Sequence, residues 1–297
     1  MPEYIRVVKC ITPSELIESG TVSPGALVFV DSDVSGLERQ KILEWSVRHG
    51  VEVYLYPSVY DVLLAGAHLT KLGDRPLLSV RPPAVQLEYQ LLKRLFDVSV
   101  ALVLLVIFAP LFLIIPIAIR LDSAGPIFYR QERVGQGGRR FTILKFRTMV
   151  KDAERFTGPV WACQNDPRVT RVGRILRATR LDELPQLLNI LKGDMSLVGP
   201  RPERPVFVEE FAKQNPHFRL RELVKPGLTG LAQVMGRYNT SPEDKLRYDL
   251  LYIGKYSPWL DFRILLWTIQ VVLFPQLWTN SPPPGVRQWR HARELRG

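Results

Sequence analysis

Cysteine is nearly absent from the 297 residues: Cys10 and Cys163 stand far apart and form no metal-ligand spacing. That excludes a small disulfide-stapled secreted scaffold, removes zinc and iron–sulfur readings, and fits a reducing compartment. The opening residues MPEYIRVVKC carry no apolar signal-peptide core. Neither GxGxxG nor GxxxxGK(S/T) occurs in the first 72 residues, so nothing there argues for a dinucleotide or P-loop site. Acidic side chains are scarce after residue 88: residues 1–88 carry 8 Lys and Arg against 11 Asp and Glu, and the remainder 32 against 18. The second part therefore calls for an anionic partner, and nucleic acid, lipid headgroups and phosphorylated small molecules all qualify on charge. Apolar residues at 46% and charged residues at 23% exclude intrinsic disorder. The length suffices for one large domain or two modest ones.

One segment narrows the choice. Residues 98–119, VSVALVLLVIFAPLFLIIPIAI, run without a charge. A straight helix of that length is about 33 Å long, against about 30 Å of hydrocarbon core. Both flanks are basic: Lys93 and Arg94 before, then Arg120, Arg130, Arg133, Arg139, Arg140, Lys145 and Arg147 after. A simple crossing would violate the positive-inside rule at one end. Pro110 and Pro116 each remove a backbone donor and bend or break a helix. A helix-break-helix over residues 89–120 that enters and leaves by the same face satisfies both observations. The alternative is a spanning helix with a proline kink, which membranes tolerate.

Residues 1–72 read as a small α/β accessory unit: a strand at 26–30, a helix capped by Asp33 or Ser35 and ended by Gly50, a strand at 51–56, and a further strand at 4–8. Packing or dimer formation is its plainest role. Residues 73–88, with Pro76, Pro82 and Pro83, read as a linker. In the region 121–280, Phe128–Val134 and Arg140–Phe146 read as strands about a turn at Gly135, Gly137 and Gly138, with Lys145 and Arg147 on one face. Arg168, Arg171, Arg174, Arg177 and Arg180 follow at intervals of three with no acid among them, either a solvated or headgroup-facing stripe or substrate contacts.

The sharpest feature is LDELPQLLNILKGDMS. Leu184, Leu187, Leu188 and Leu191 predict an apolar helix face, and Pro185 fits only a first turn, so the helix is expected to start near Asp182. Asp182 and Glu183 then sit at a positive helix end, as an ordinary cap or as a site beside bound phosphate. The stiff loop LVGPRPERP with Arg201, and VKPGLTGLAQVMGR with Lys225, Gln233 and Arg237, suit anions. Residues 264–274 are too short to span; with Trp259, Trp267 and Trp278 they read as an interfacial segment, a buried core helix being the equal competitor. Residues 281–297 form a polar, basic tail.

KRLFD, the interrupted apolar segment, FRTM, NDPRVTRVGRILR, LDELPQLLNILKGDMSLVGPRP and KPGLTGLAQVMGR, in that order over roughly residues 89–275, resemble the monotopic phosphoglycosyl transferases, or bacterial sugar transferases. The resemblance implies an α+β membrane-associated catalytic domain with a re-entrant helix and interfacial amphipathic helices, behind a shortened Rossmann-like N-terminal domain. The upstream transmembrane helices of larger members are not seen. It implies transfer of a sugar 1-phosphate from a UDP-sugar to a polyprenyl phosphate such as undecaprenyl phosphate, with release of UMP, at the cytoplasmic face of the bacterial inner membrane. Asp182 maps to the nucleophile and Glu183 to its support. Lys145, Arg177 and Arg201 are chosen for phosphate, Gln233 and Arg237 for the nucleotide, and Asp182 for Mg²⁺. The family's helix-breaking Ser-Pro is Ala109-Pro110 here, and its frequent Trp before Ala-Gln-Val is Leu231. Membrane lipids and a homodimer are further expected partners. A nucleic-acid binder lacks a base-stacking or helix-turn-helix signature. A glycosidase needs carboxylates flanking a glycosidic bond, which adjacent residues do not indicate. A catalytically silent scaffold is the third alternative.

Overall fold

A computed structural model describes residues 9–19, 22, 27–31, 33–80, 87–151, 153, 166–236 and 240–274. The strand expected at 4–8, Cys163, Arg237, Trp278 and the basic tail lie outside them. The first unit comprises α1 (Pro13–Ser19), β1 (Val28–Val30), α2 (Gly36–His49) and β2 (Val53–Leu55). β1 and β2 pair in parallel, so α2 is the expected crossover. Its start is set by a capping box: Ser35 Oγ accepts from Glu38 N, and Glu38 Oε2 accepts from Ser35 N. Gly50 ends it in the left-handed region at φ 65°. Leu16, Val30, Ile42 and Trp45 form the small core.

α3 (Val59–Leu64) joins this unit to the rest. Val62 belongs to the main core, and a Cβ at Gly66 would stand 2.0 Å from the Gly254 carbonyl oxygen, so only glycine permits this approach. β3 (His68–Leu72) and β4 (Arg75–Ser79) then form an exposed antiparallel hairpin. Its turn contains Gly73 at φ 60°. The segment expected to be linker from residue 73 thus begins as the second half of a hairpin. Gly73-Asp74 was the turn signal, and the prolines masked it.

α4 (Leu87–Ile107) and α5 (Ala109–Asp122) meet at a 61° bend. No single described helix is long and apolar enough to cross a membrane, but this bent pair has the length and composition together. Phe108 leaves the helical path, and Pro110 stands in the first turn of α5, where its missing N–H is harmless. Pro116 lies inside α5 without ending it. Leu102, Val106, Leu113, Ile117 and Leu121 are exposed. Both arms are tied to the same domain. Arg94 donates to the Ile190 and Leu191 carbonyls and Asp97 accepts from Leu197 N, while Asp122 accepts from Val172 N and Arg147 donates to Ser123 O and Ala124 O.

β5 (Phe128–Val134) and β6 (Arg140–Phe146) form the expected antiparallel hairpin. Ile143 and Phe146 point β6 into two different clusters. After α6 (Arg171–Ala178), residues Leu181–Glu183 form a 3₁₀ turn, and α7 (Gln186–Lys192) starts beyond it. β7 (Ser196–Val198), α8 (Pro205–Gln214), a 3₁₀ stretch at Pro216–Leu223, β8 (Gly227–Thr229), α9 (Leu231–Met235), α10 (Pro242–Gly254) and α11 (Pro258–Leu273) complete the fold. β7 and β8 pair in parallel. The architecture is α+β, with four separate two-stranded sheets among the described residues.

Two expectations change here. Leu188 is exposed, and Ile190 takes its place with Leu187 in the core. α11 is double-faced: Asp261, Ile264 and Trp267 are buried, whereas Trp259, Phe262, Leu266, Ile269 and Leu273 are exposed. Trp267 is therefore a core residue, because a helix with apolar residues all round can satisfy a core and a second apolar phase at once.

Candidate active site

The site grows from three local structures. β6 carries Lys145, and its outer backbone edge is met by a side chain rather than a strand: Asn189 Nδ2 donates to Thr142 O at 2.8 Å, and Asn189 Oδ1 accepts from Leu144 N at 3.0 Å. This amide clamp fixes α7, and the turn before it, against the strand. α6 approaches the end of β6 closely enough that a Cβ at Gly173 would lie 2.0 Å from Thr148 O. Between α6 and α7, Arg180 adopts φ 59°, a left-handed conformation that costs a non-glycine residue about 1–2 kcal/mol. The acidic pair follows immediately.

Sequence reasoning placed that pair at the start of a helix. Instead it occupies its own 3₁₀ turn, and the position before α7 is Pro185, with no side-chain cap. Asp182 makes no side-chain cap bond among the described residues. A proline at the boundary is satisfied without an acidic cap because it has no N–H to offer.

Glu183 is buried and doubly held. Its Oε1 accepts from Lys145 Nζ at 2.9 Å and from Arg201 Nη2 at 2.7 Å. Burial opposes its ionisation, but Arg201 and Lys145 overcome this and hold its carboxyl well below the usual range. Asp182 is different. Among the described residues no hydrogen bond or ion pair engages its half-buried carboxylate. Burial, then the Glu183 charge, push its carboxyl above the ordinary value; Lys145, Arg180 and Arg177 pull against them. Arg177 thus stands beside the pair, and its Nε donates to Thr148 Oγ1 at 2.9 Å.

Lys145, Arg177, Asp182, Glu183 and Arg201 are therefore brought together from three segments distant in sequence. Of the residues chosen for the nucleotide, Arg237 lies outside the described residues and Gln233 makes no hydrogen bond with the acidic pair. Gln233 lies on α9, donating to Leu228 O at 3.0 Å, with its Oε1 buried and unpartnered. Arg147, expected on the face of Lys145, turns to the carbonyls after α5. In the arginine stripe, Arg168 is clamped by Asp166 through Nε (2.9 Å) and Nη2 (2.6 Å), while Arg171, Arg174 and Arg180 are exposed. Asn189 and Thr148 were missed. The signal for Asn189 was a lone amide inside LLNIL, a polar residue that a buried helix face keeps only if it is paired.

Among the described residues no three His, Cys, Asp or Glu side chains gather as a metal cage. The donor chemistry fits Mg²⁺ in the mode that uses one carboxylate and takes its remaining ligands from substrate phosphates and water. Asp182 is the carboxylate available for it.

Residues 88–275 match the profile of the bacterial sugar transferases. The chain belongs to that family. Within it, the chain is similar to the UDP-N-acetylgalactosamine-undecaprenyl-phosphate N-acetylgalactosaminephosphotransferase of Aeromonas hydrophila, 38% identical over 82% of this chain and 57% of that protein. It is also similar to the UDP-glucose:undecaprenyl-phosphate glucose-1-phosphate transferases of Xanthomonas campestris pv. campestris, 36% identical over 88% of this chain and 56% of that protein, and of Caulobacter vibrioides, 46% identical over 69% and 82%. The chain thus spans little more than half the length of the Aeromonas and Xanthomonas relatives. The matched region begins with α4 and leaves the first α/β unit outside the family segment.

Proposed function

We propose that this chain transfers a sugar 1-phosphate from a nucleoside diphosphate sugar, a UDP-sugar by analogy with its named relatives, to a polyprenyl phosphate such as undecaprenyl phosphate. The reaction releases UMP and begins membrane glycan or exopolysaccharide assembly. The observation that carries this reading is the division between adjacent carboxylates: Glu183 is held by two cations, and Asp182, near Lys145, Arg177 and Arg180, has no ion-pair partner among the described residues.

In the first half-reaction an Asp182 carboxylate oxygen attacks the sugar-bearing phosphorus. The new P–O bond forms as the bond to the bridging oxygen breaks, and UMP leaves with that oxygen and the electron pair. In the second, a phosphate oxygen of the polyprenyl carrier attacks the same phosphorus. The Asp182–phosphorus bond breaks, returning the carboxylate and leaving a lipid-linked diphosphate sugar. Charge builds on the phosphoryl oxygens and the departing nucleotide, so fixed cations are the main requirement. Lys145 and Arg201 meet it while held by Glu183, which keeps both side chains oriented before substrate arrives. Arg177 adds a third positive charge. Mg²⁺, when bound with Asp182, supplies further neutralisation of the diphosphate.

One substrate is soluble and the other lipid-anchored, which suits a site beside a re-entrant helix pair at the cytoplasmic face of the bacterial inner membrane. Anchoring of both arms of α4–α5 on one domain, and the exposed apolar faces of α4, α5 and α11, support that topology. Incubation with labelled UDP-sugar and Mg²⁺ should leave sugar phosphate on Asp182, and Asp182→Asn should release no UMP while inserting into membranes normally. Full activity in that variant, or kinetics requiring both substrates bound together with no labelled protein, defeats the reading.

A further inference from the structure

Arg201 reaches Glu183 from a loop, so its placement depends on what holds the loop. Pro200 and Pro202 stiffen the chain, and two arginines grip its carbonyls. Arg133 Nη1 donates to Pro202 O at 3.0 Å, and Arg221 Nη2 donates to Arg201 O at 2.9 Å. The same Arg221 nitrogen donates to Asp249 Oδ2 at 2.7 Å. Asp249 lies on α10 and is 1% exposed; Arg221 is 8% exposed. The Arg221 guanidinium also sits 4.8 Å from the centre of the Phe218 ring, and its Nη1 is 4.0 Å from Glu203 Oε1. A guanidinium fixed at one edge by a carboxylate and packed against an aromatic ring has little freedom left, so its remaining donor geometry is set. No contact with Asp182 or Glu183 is made by either residue among those described.

We propose that Asp249 and Arg221 are positioning residues for the transfer reaction: Asp249 orients Arg221, Arg221 fixes the main chain at Arg201, and the Arg201 guanidinium thereby meets Glu183. This rests on the reading of Asp182 and Glu183 as the catalytic pair and extends it to a buried pair on the far side of the loop. The alternative, a pair that only stabilises the fold, makes a different prediction. Its loss would lower the amount of folded protein by the same factor whatever side chain stands at position 201.

The test is a double-mutant cycle on UMP release by the full chain in lipid nanodiscs, using Asp249→Asn, Arg201→Lys and both together. Asp249→Asn keeps the volume and one acceptor while removing the charge. It should lower kcat roughly 10- to 100-fold, the scale of a misplacement of about 1 Å, with KM for the UDP-sugar little changed. In the Arg201→Lys background the same change should cost less than about threefold, because coupled residues are not additive. Multiplicative losses overturn the proposal. A second reading needs no turnover: the infrared carboxylate stretch of Glu183, isolated with carboxyl-¹³C glutamate and a Glu183→Gln difference spectrum. Asp249→Asn should move that band in the same direction as Arg201→Lys, and an unmoved band overturns the proposal. Wild-type chain that releases no UMP from any UDP-sugar defeats the catalytic reading, and the infrared result then still decides the positioning. Should Asp249→Asn fail to accumulate, Arg221→Lys, which keeps the charge and loses the planar guanidinium that spans Asp249 and the Arg201 carbonyl, carries both measurements.

Discussion

Two of the buried carboxylate clusters among the described residues, around Asp261 and around Glu183, are built to opposite ends. On α11, Asp261 accepts from Tyr89 (2.7 Å) and Lys93 (2.5 Å) on one oxygen and from Tyr252 (2.8 Å) on the other. Every partner is buried, both carboxylate oxygens are engaged, and the cluster joins α4, α10 and α11. Around the 3₁₀ turn, Glu183 is equally well held, yet the neighbouring Asp182 is left with no hydrogen bond among the described residues. A saturated network fixes where helices go and has nothing left to offer a substrate. An unsaturated one keeps a charged oxygen in a partly desolvated place, which is expensive for the fold and useful for chemistry.

The comparison breaks first at Asp182. Asp182→Asn should lower UMP release by at least roughly 10³-fold with no loss of thermal stability, since the group has no partner to abandon. Asp261→Ala should do the reverse. It strands Lys93 without its carboxylate, costing about 3–5 kcal/mol of stability, while activity per folded molecule falls far less than in the Asp182 variant. Thermal unfolding and single-turnover UMP release on the same samples separate the two. A stable, inactive Asp261→Ala protein would mean the clusters are not distinct in kind.

A pH profile sharpens the contrast further. The acid limb of the first half-reaction should lie above the usual aspartate range, because burial and Glu183 raise the Asp182 carboxyl. Only the ionised carboxylate attacks, so the rate is lost as pH falls through that raised value. Lys145→Met removes a cation that favours ionisation and should move the limb to higher pH. Lys93→Met, in the other cluster, should leave it in place. The smallest effect is expected from Tyr89→Phe. Asp261 keeps Lys93 and Tyr252, so stability should fall by about 1 kcal/mol with transfer unchanged.

Part of this architecture is legible in the sequence. Phe128–Val134 and Arg140–Phe146 form strands at the expected residues, because glycines mark the turn and the flanking segments alternate. The crossover after β1 is legible from a capping box and a terminal glycine, both local signals. Lys145, Arg177, Arg201 and the acidic pair, singled out through ordered motifs rather than periodicity, lie near one another in the fold. The start of α7 was misplaced by several residues, since proline permits a first turn and equally permits a boundary. The hairpin at Gly73 was hidden by prolines that read as linker, although Pro76 pairs within it opposite Lys71. Trp267 was ambiguous by nature, because an apolar stripe carries no label for the partner that covers it.

Amino-acid order by itself determined the uncharged apolar run and its break at Pro110, the excess of cations after residue 88, and the adjacency of Asp182 and Glu183. These are properties of neighbours along a chain. Which of the two carboxylates is bound and which is free was decided only in three dimensions, where β6 delivers Lys145 and the loop after β7 delivers Arg201 to the same oxygen of Glu183. Electrostatic pairing depends on distances of about 3 Å between groups 18 and 38 residues apart, and only packing sets those distances.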